Sequence, residues 1–309
     1  MANQPLYLDP ALTDVANAWY NKQADFVANK IMPTVTVKKA TFKIGQFDKS
    51  NLQMPANSLR TGAAETKSIG YNRSYVTADP LEEHSLKDWV YKDDYEQSDN
   101  PFDPESDTTE NILQVMQVID EKQMVDTLTS TSIVTNNTTL SGTSQWSDLD
   151  HSSPITDIKN AAASALWVDF NTMVLGRNDY LTLLTHPEIR DYLKWSGQGG
   201  VTHEQLLSVV GQFGIQQILI GRARGNTAPE GTDENIQQLW SNDVLFAYVT
   251  DTPGRKQING GYKFQLENGR EVTNQPINDP PMNEIIVRDY YNYQLLMPEA
   301  YYLVKSAFA

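Results

Sequence analysis

Apolar residues recur at helical spacing more densely over residues 153–223 than anywhere else in the chain. Ser153-Pro154 has the form of a helix start, a hydroxyl able to cap followed by proline at the first helical position. Ile155, Ile158, Ala162, Ala165 and Leu166 follow three and four residues apart, which predicts one apolar face. Residues 171–175 read as a short buried strand stopped by Gly176. Asn178 is placed to cap a second helix carrying Leu181, Leu184, Ile189, Tyr192 and Leu193, with Pro187 bending or dividing it. Thr202-His203-Glu204-Gln205 has the capping-box form, with Leu206, Leu207 and Val210 behind it. Residues 217–221 form a second buried strand. The pattern predicts a helix–strand–helix–helix–strand core.

The period changes outside this block. Asp9 or Thr13 is placed to start a short helix through Val15, Trp19 and Phe26, ending near Ile31-Met32-Pro33. So brief a terminal segment docks on something else, its own domain or a neighbour. Val35 and Val37 alternate, as do Phe42 and Ile44, and Ile69 and Tyr71 on the return. These strand-like ends bracket a polar middle, residues 48–67, which predicts a long extended hairpin. Asp107-Thr108-Thr109-Glu110 is another capping box, and a helix to about Ser130 should follow. Ile112, Val115, Met116 and Ile119 line its predicted apolar face, continued by Met124, Val125 and Leu128. At 1.5 Å per residue it would be ~35 Å long, enough for a structural spine. Residues 131–152 and 224–238 read as polar loops. Residues 244–249 form a strand, and Asn268-Gly269 signals a hairpin turn between residues 262–265 and 270–273. Further strands are expected at 283–293 and 300–305.

Composition narrows the class of function. The 309 residues carry a formal charge of −15, which argues against nucleic-acid binding as the main task, because neutralising phosphates needs clustered lysine and arginine. There is no cysteine, hence no disulfide, thiolate metal site or thiol nucleophile, in keeping with a reducing compartment. The N-terminus lacks the form of a signal peptide, and no apolar run approaches the ~20 residues of a membrane span.

Candidate chemistry is thin. His84, His151, His186 and His203 are scattered, none with a second histidine at metal-ligand spacing. The acidic run over residues 79–107 lacks the glycine and terminal glutamate of a calcium loop, so it reads as a solvated face. Glu82-Glu83 and Asp93-Asp94 are adjacent carboxylates within that run. Gly197-Gln198-Gly199-Gly200 follows a helix, where a dinucleotide loop needs a strand. No catalytic, cofactor-binding or metal residue is assigned, and the chain is not read as an enzyme.

Several runs, in order along nearly the whole chain, resemble one family. They are Asp9-Pro10-Ala11-Leu12-Thr13 and Ile31-Met32-Pro33-Thr34-Val35; Leu140-Ser141-Gly142 with Gln145-Trp146-Ser147-Asp148; and Ser153-Pro154-Ile155-Thr156-Asp157-Ile158. Asn171-Thr172-Met173-Val174-Leu175-Gly176, Thr185-His186-Pro187-Glu188-Ile189 and Ile218-Leu219-Ile220-Gly221-Arg222-Ala223 complete the set. In these the chain is similar to the major capsid proteins of tailed bacteriophages, with the Hong-Kong-97-like fold.

The resemblance implies an α+β architecture: an N-terminal arm (1–36), an E-loop hairpin (37–88), and a peripheral domain (89–150) with a spine helix at 108–130. An axial domain (151–282) and C-terminal strands returning to the peripheral domain (283–309) would follow. It implies no catalysis and no cofactor, but self-assembly as pentamers and hexamers into an icosahedral-type shell. The implied partners are copies of the chain itself, with portal, scaffolding or decoration proteins, around DNA held without sequence recognition and with no membrane. The implied location is the virion, after synthesis in the host cytoplasm. The chain begins directly at the arm, without a long helical leader. Lys38, Lys39, Lys43, Lys49 and Lys67 fall in the E-loop, but no motif fixes a cross-linking partner. An encapsulin-like nanocompartment shell and a soluble carbohydrate-active or nucleotide-using enzyme are the alternatives.

Overall fold

A computed structural model of the chain describes residues 7–8, 12–13, 26–46, 58–60, 62, 65–66, 74–97, 103–193, 201–226, 228, 233, 235–250 and 260–309. Its larger sheet is built on one long strand, β14 (Pro281–Leu295). Strand β5 (Glu82–Tyr91) runs antiparallel to it, with Tyr91 opposite Met282 and Glu82 opposite Tyr291. Tyr291 also faces Gln265 of β12 (Gly261–Leu266), and Arg288 faces both Ser85 and Glu271 of β13 (Glu271–Asn278). A strand has only two hydrogen-bonding edges. β12 and β13 therefore lie end to end on the edge of β14 that faces away from β5. Beyond them, β2 (Thr34–Val37) pairs in parallel with β12, and β1 (Tyr7–Leu8) pairs antiparallel with β13.

This corrects the hairpin expected at Asn268-Gly269. Asn268 does adopt a positive φ of 56°, and Gly269 N–H donates to the Leu266 carbonyl at 2.9 Å. The turn, however, only loops residues 267–270 out of the line, because β14 is long enough to pair with both strands. Buried Asp289 of β14 lies opposite this break. Gln265 Nε2 reaches it at 2.8 Å from one side and Arg270 Nη2 at 2.6 Å from the other. The two side chains satisfy a carboxylate that would otherwise be stranded where the ladder is interrupted.

The long helix, α3 (Pro104–Leu128), packs on β5 and β14 and follows the short helices α1 (Ala28–Ile31) and α2 (Lys92–Gln97). It starts four residues before the expected capping box. Asp103 is the cap, accepting from Glu105 N–H and Ser106 Oγ, and Pro104 takes the first position. Its buried face is rotated from the one predicted. Leu113 and Gln117 point inward, whereas Val115 and Ile119 remain 45% and 47% exposed.

The second sheet has the order β6 (Asn137–Thr139), β15 (Tyr301–Lys305), β11 (Val244–Ala247), β7 (Thr172–Gly176), β8 (Gln217–Gly221). β7 and β8 are parallel, joined by α5 (Arg177–Thr185), α6 (Pro187–Tyr192) and α7 (His203–Gly211), with α4 (Pro154–Ala163) preceding them. This is the helix–strand–helix–helix–strand unit read from the sequence, and all of β7 is buried. The Thr202–Gln205 capping box forms reciprocally, and the second expected helix is divided at Pro187 into α5 and α6. Three expected core positions do not hold. Leu166 is 88% exposed because α4 ends before it, and Leu181 and Tyr192 also face outward, while Leu183 takes the buried place. The tail also divides between the sheets. β14 belongs to the first, but β15 pairs with β11 and β6 in the second, whereas 261–278 lie in the first.

Of the long hairpin, β3 (Lys43–Gln46) pairs with β4 (Ser74–Thr77) and with no other described strand. Ile69 and Tyr71, the expected return, lie outside the described residues, as do Gly197–Gly200 and most of the arm helix. Residues 224–238, expected to be a loop, carry a small antiparallel ribbon, β9 (Arg224–Asn226) with β10 (Ile236–Gln238).

Leu175 is fully buried in β7. Leu175→Asp should therefore place an unpaired charge in the core, costing at least about 3 kcal/mol and abolishing soluble expression. A soluble variant with the parent melting temperature would contradict the burial of that strand.

Candidate assembly surface

The surfaces available for contact are held in place by a polar joint that the hydrophobic pattern concealed. On α3, Asp120 and Glu121 are successive and both buried. Successive helical positions point about 100° apart, so the two carboxylates serve different parts of the molecule. Asp120 accepts from Lys263 Nζ of β12 at 2.6 Å and from the Tyr293 hydroxyl of β14 at 2.8 Å. Lys263 is itself buried and lies 3.9 Å from the centre of the Tyr291 ring, which adds a cation–π contact. Glu121 accepts from the Val27 and Ala28 N–H groups at 3.1 and 2.8 Å and from Trp240 Nε1 at 2.6 Å. Burial pushes the Glu121 carboxyl above the usual carboxylate range, opposed by these three donors.

Trp240 in turn rests on two glycines. Gly176 and Gly221 are opposite one another at the ends of β7 and β8. A Cβ at Gly221 would lie 2.3 Å from the Trp240 ring, and one at Gly176 would lie 2.2 Å from its carbonyl oxygen. Gly176 stops the strand and also lets the Trp240 backbone approach, while Gly221 makes room for the indole. The signal available in the sequence was the spacing 113, 117, 120–121, 124, 128, which places charged residues on the buried stripe.

Among the described residues the β3–β4 hairpin is anchored at its base. Phe42 packs 4.8 Å from Phe264, and Val35, Val37 and Ile44 join Tyr262 and Leu81 around it. Ala78 and Leu81 N–H groups close the base on the Phe42 and Ala40 carbonyls. Outward from it, Leu59 is 69% exposed. Lys38 lies 3.9 Å from Glu267, Lys39 and Lys43 are exposed, and Lys49 and Lys67 lie outside the described residues.

The remaining candidates do not converge. His84 stacks on Tyr291, His151 bonds Asp148, and His203 bonds the Tyr180 hydroxyl. Buried His186 caps α6 and meets Ser152 Oγ, its pKa lowered by burial. Glu82 and Glu83 alternate sides along β5, with Glu83 3.3 Å from Arg288, and Asp94 accepts from Tyr91 N–H. Among the described residues no three histidine or carboxylate groups are placed to hold a metal, and no helix is long and apolar enough to cross a membrane.

No family model matches the chain. It is 26% identical over 308 residues to the major capsid protein of Burkholderia phage BcepMu, covering 97% of this chain and 96% of that one. It is 27% identical over 252 residues to the major capsid protein of Pseudomonas phage JBD67, covering 80% and 79%. The fold is shared with a phage-related protein from Bordetella bronchiseptica, with a TM-score of 0.72 and 21% identity, over 98% of this chain and 99% of that one.

The joint yields two predictions. Glu121 offers two oxygens to three donors, so Glu121→Gln sets an amide NH2 against a buried N–H. It should lower subunit stability by about 1–3 kcal/mol in denaturant titration; an unchanged midpoint would contradict the joint. Nearby Asp179 of α5 accepts from Asn242 N–H at 2.9 Å. Burial, reinforced by the Asp243 charge, pushes it up to about 6. The folded protein thus binds this proton more tightly than the unfolded chain does. The associated stability is complete below about pH 4 and is lost as pH rises through about 6. Asp179→Asn should remove this loss, gaining melting temperature over the parent between about pH 5 and about pH 7.5. A gap that stays constant with pH would contradict it.

Proposed function

We propose that this chain, which its relatives identify as a tailed-bacteriophage major capsid protein of Hong-Kong-97-like fold, assembles as pentamers and hexamers into an icosahedral-type shell around the viral genome. The observation that carries this reading is the full-length match to a phage major capsid protein, 97% of this chain against 96% of the relative. Matches to phage capsid proteins favour a viral shell over a cargo-holding nanocompartment. The two sheets and the hairpin support a division into the family's parts. Residues 1–36 are the N-terminal arm, and 37–88 are the E-loop, with β3 and β4 at its root. α3 is the spine of a peripheral domain built on the first sheet. The second sheet and its helices form the axial domain, to which β15 returns.

The mechanism is repetition of one contact. Identical subunits joined head to tail close into rings when the rotation between them closes. A hairpin tethered at its base to β12 suits such a contact, because its outer part is too polar to belong to the subunit core. The acidic balance suits a lining that encloses DNA without gripping it. Portal, scaffolding and decoration proteins are the further partners, and the shell is made in the host cytoplasm before it becomes the virion.

Replacing residues 50–65 with a short Gly-Ser linker tests the assignment. Loop shortening changes closure entropy only modestly, so the subunit should keep near-native circular dichroism. Assembly should fail or give aberrant particles by sedimentation and electron microscopy. Normal closed particles would remove the E-loop assignment, and an unfolded subunit would place the segment in the core.

A further inference from the structure

The glycine seat beneath Trp240 has a second consequence, on the outside of the molecule. Because Gly176 and Gly221 are paired across parallel strands, the next residues, Arg177 and Arg222, leave the sheet side by side. Arg224, two residues further on, joins them. The three exposed arginines line an open cleft of about 420 Å³, whose other walls include Gln114 and Val118 of α3 and Phe26. No carboxylate among the described residues pairs with Arg177 or Arg224, although the chain carries 39 acidic residues against 24 lysines and arginines. Three planar guanidinium forks facing one space favour carboxylate or phosphate oxygens.

The same chain carries a complementary segment. Between residues 92 and 107 there are seven carboxylates and a single lysine. Asp94, Asp103 and Glu105 are engaged within the subunit, by Tyr91 N–H, Ser106 and Asn283 respectively. Asp93 and Asp107 are exposed, with no such partner among the described residues. Subunits that each carry −15 repel one another unless opposite charges meet where they touch.

We propose that the Arg177–Arg222–Arg224 cleft seats the exposed carboxylates Asp93 and Asp107 of a second copy of this chain, as a charge-complementary contact within the shell. The inference rests on the shell reading. It favours a carboxylate occupant over nucleic acid because every neighbouring subunit brings such a segment with it.

A charge exchange tests it in the full-length chain. Arg177→Glu with Arg224→Glu should leave circular dichroism and melting temperature unchanged, since Arg177 opens α5, where a carboxylate is well placed. The yield of closed particles should fall at least about tenfold, the scale of one lost charge-pair contact. Asp93→Lys with Asp107→Lys should cause a similar loss, and the four changes together should restore particles. Undiminished yield from the arginine pair, or a combination no better than either pair, would overturn the contact. So would a fall in subunit melting temperature, which would place the partner within the same chain. Normal particles that retain less nucleic acid would give the cleft to phosphate instead. A parent chain that forms no particles is a different result, and it counts against the shell reading itself.

Discussion

Two adjacent carboxylates buried in the middle of one helix set the terms for the rest of the subunit. A charge taken out of water is tolerated only where opposite charge or several donors meet it. Asp120 and Glu121 therefore fix what must surround α3: Lys263 and Tyr293 on one side, and the 27–28 backbone and Trp240 on the other. Apolar packing alone would let the helix slide or rotate against the sheets, since Leu113, Met124 and Leu128 fit many registers. Hydrogen bonds of 2.6–3.1 Å to groups from four separate regions of sequence do not. Such a joint suits the proposed shell, in which every copy must present the same surface.

The joint also explains features that look unrelated. Trp240 can reach Glu121 because Gly176 leaves room for its main chain and Gly221 for its indole, and that pairing brings Arg177 and Arg222 together on the outside. The break between β12 and β13 is stapled in the same manner, by Gln265 and Arg270 on buried Asp289. In each case a polar group interrupts an apolar layer and is satisfied from two directions, which fixes the geometry there.

How much was legible in the sequence follows from the same physics. Of the caps expected in the 153–223 unit only Thr202 bonds: the cap position of α5 is Gly176 instead of Asn178, and the Ser153 hydroxyl caps nothing. The unit still reads well, because its strands are apolar and its turns carry glycine or proline. The face of α3 does not, because hydrophobicity points to Val115 and Ile119 while the buried stripe runs through Gln117, Asp120 and Glu121. The Asn268-Gly269 turn was visible, but whether its flanking strands pair together or lie along a third strand depends on the length of β14. The arginine cleft was invisible, since Arg177 and Arg224 are 47 positions apart in a chain whose overall charge points the other way.

The proposed shell requires this subunit to be repeated. Electron microscopy of the expressed chain, beside its sedimentation profile, tests that most directly. Closed, uniform particles whose surface resolves into clusters of five and six subunits are expected. A folded chain that sediments only as a monomer at every concentration and salt condition tried would contradict the proposed shell.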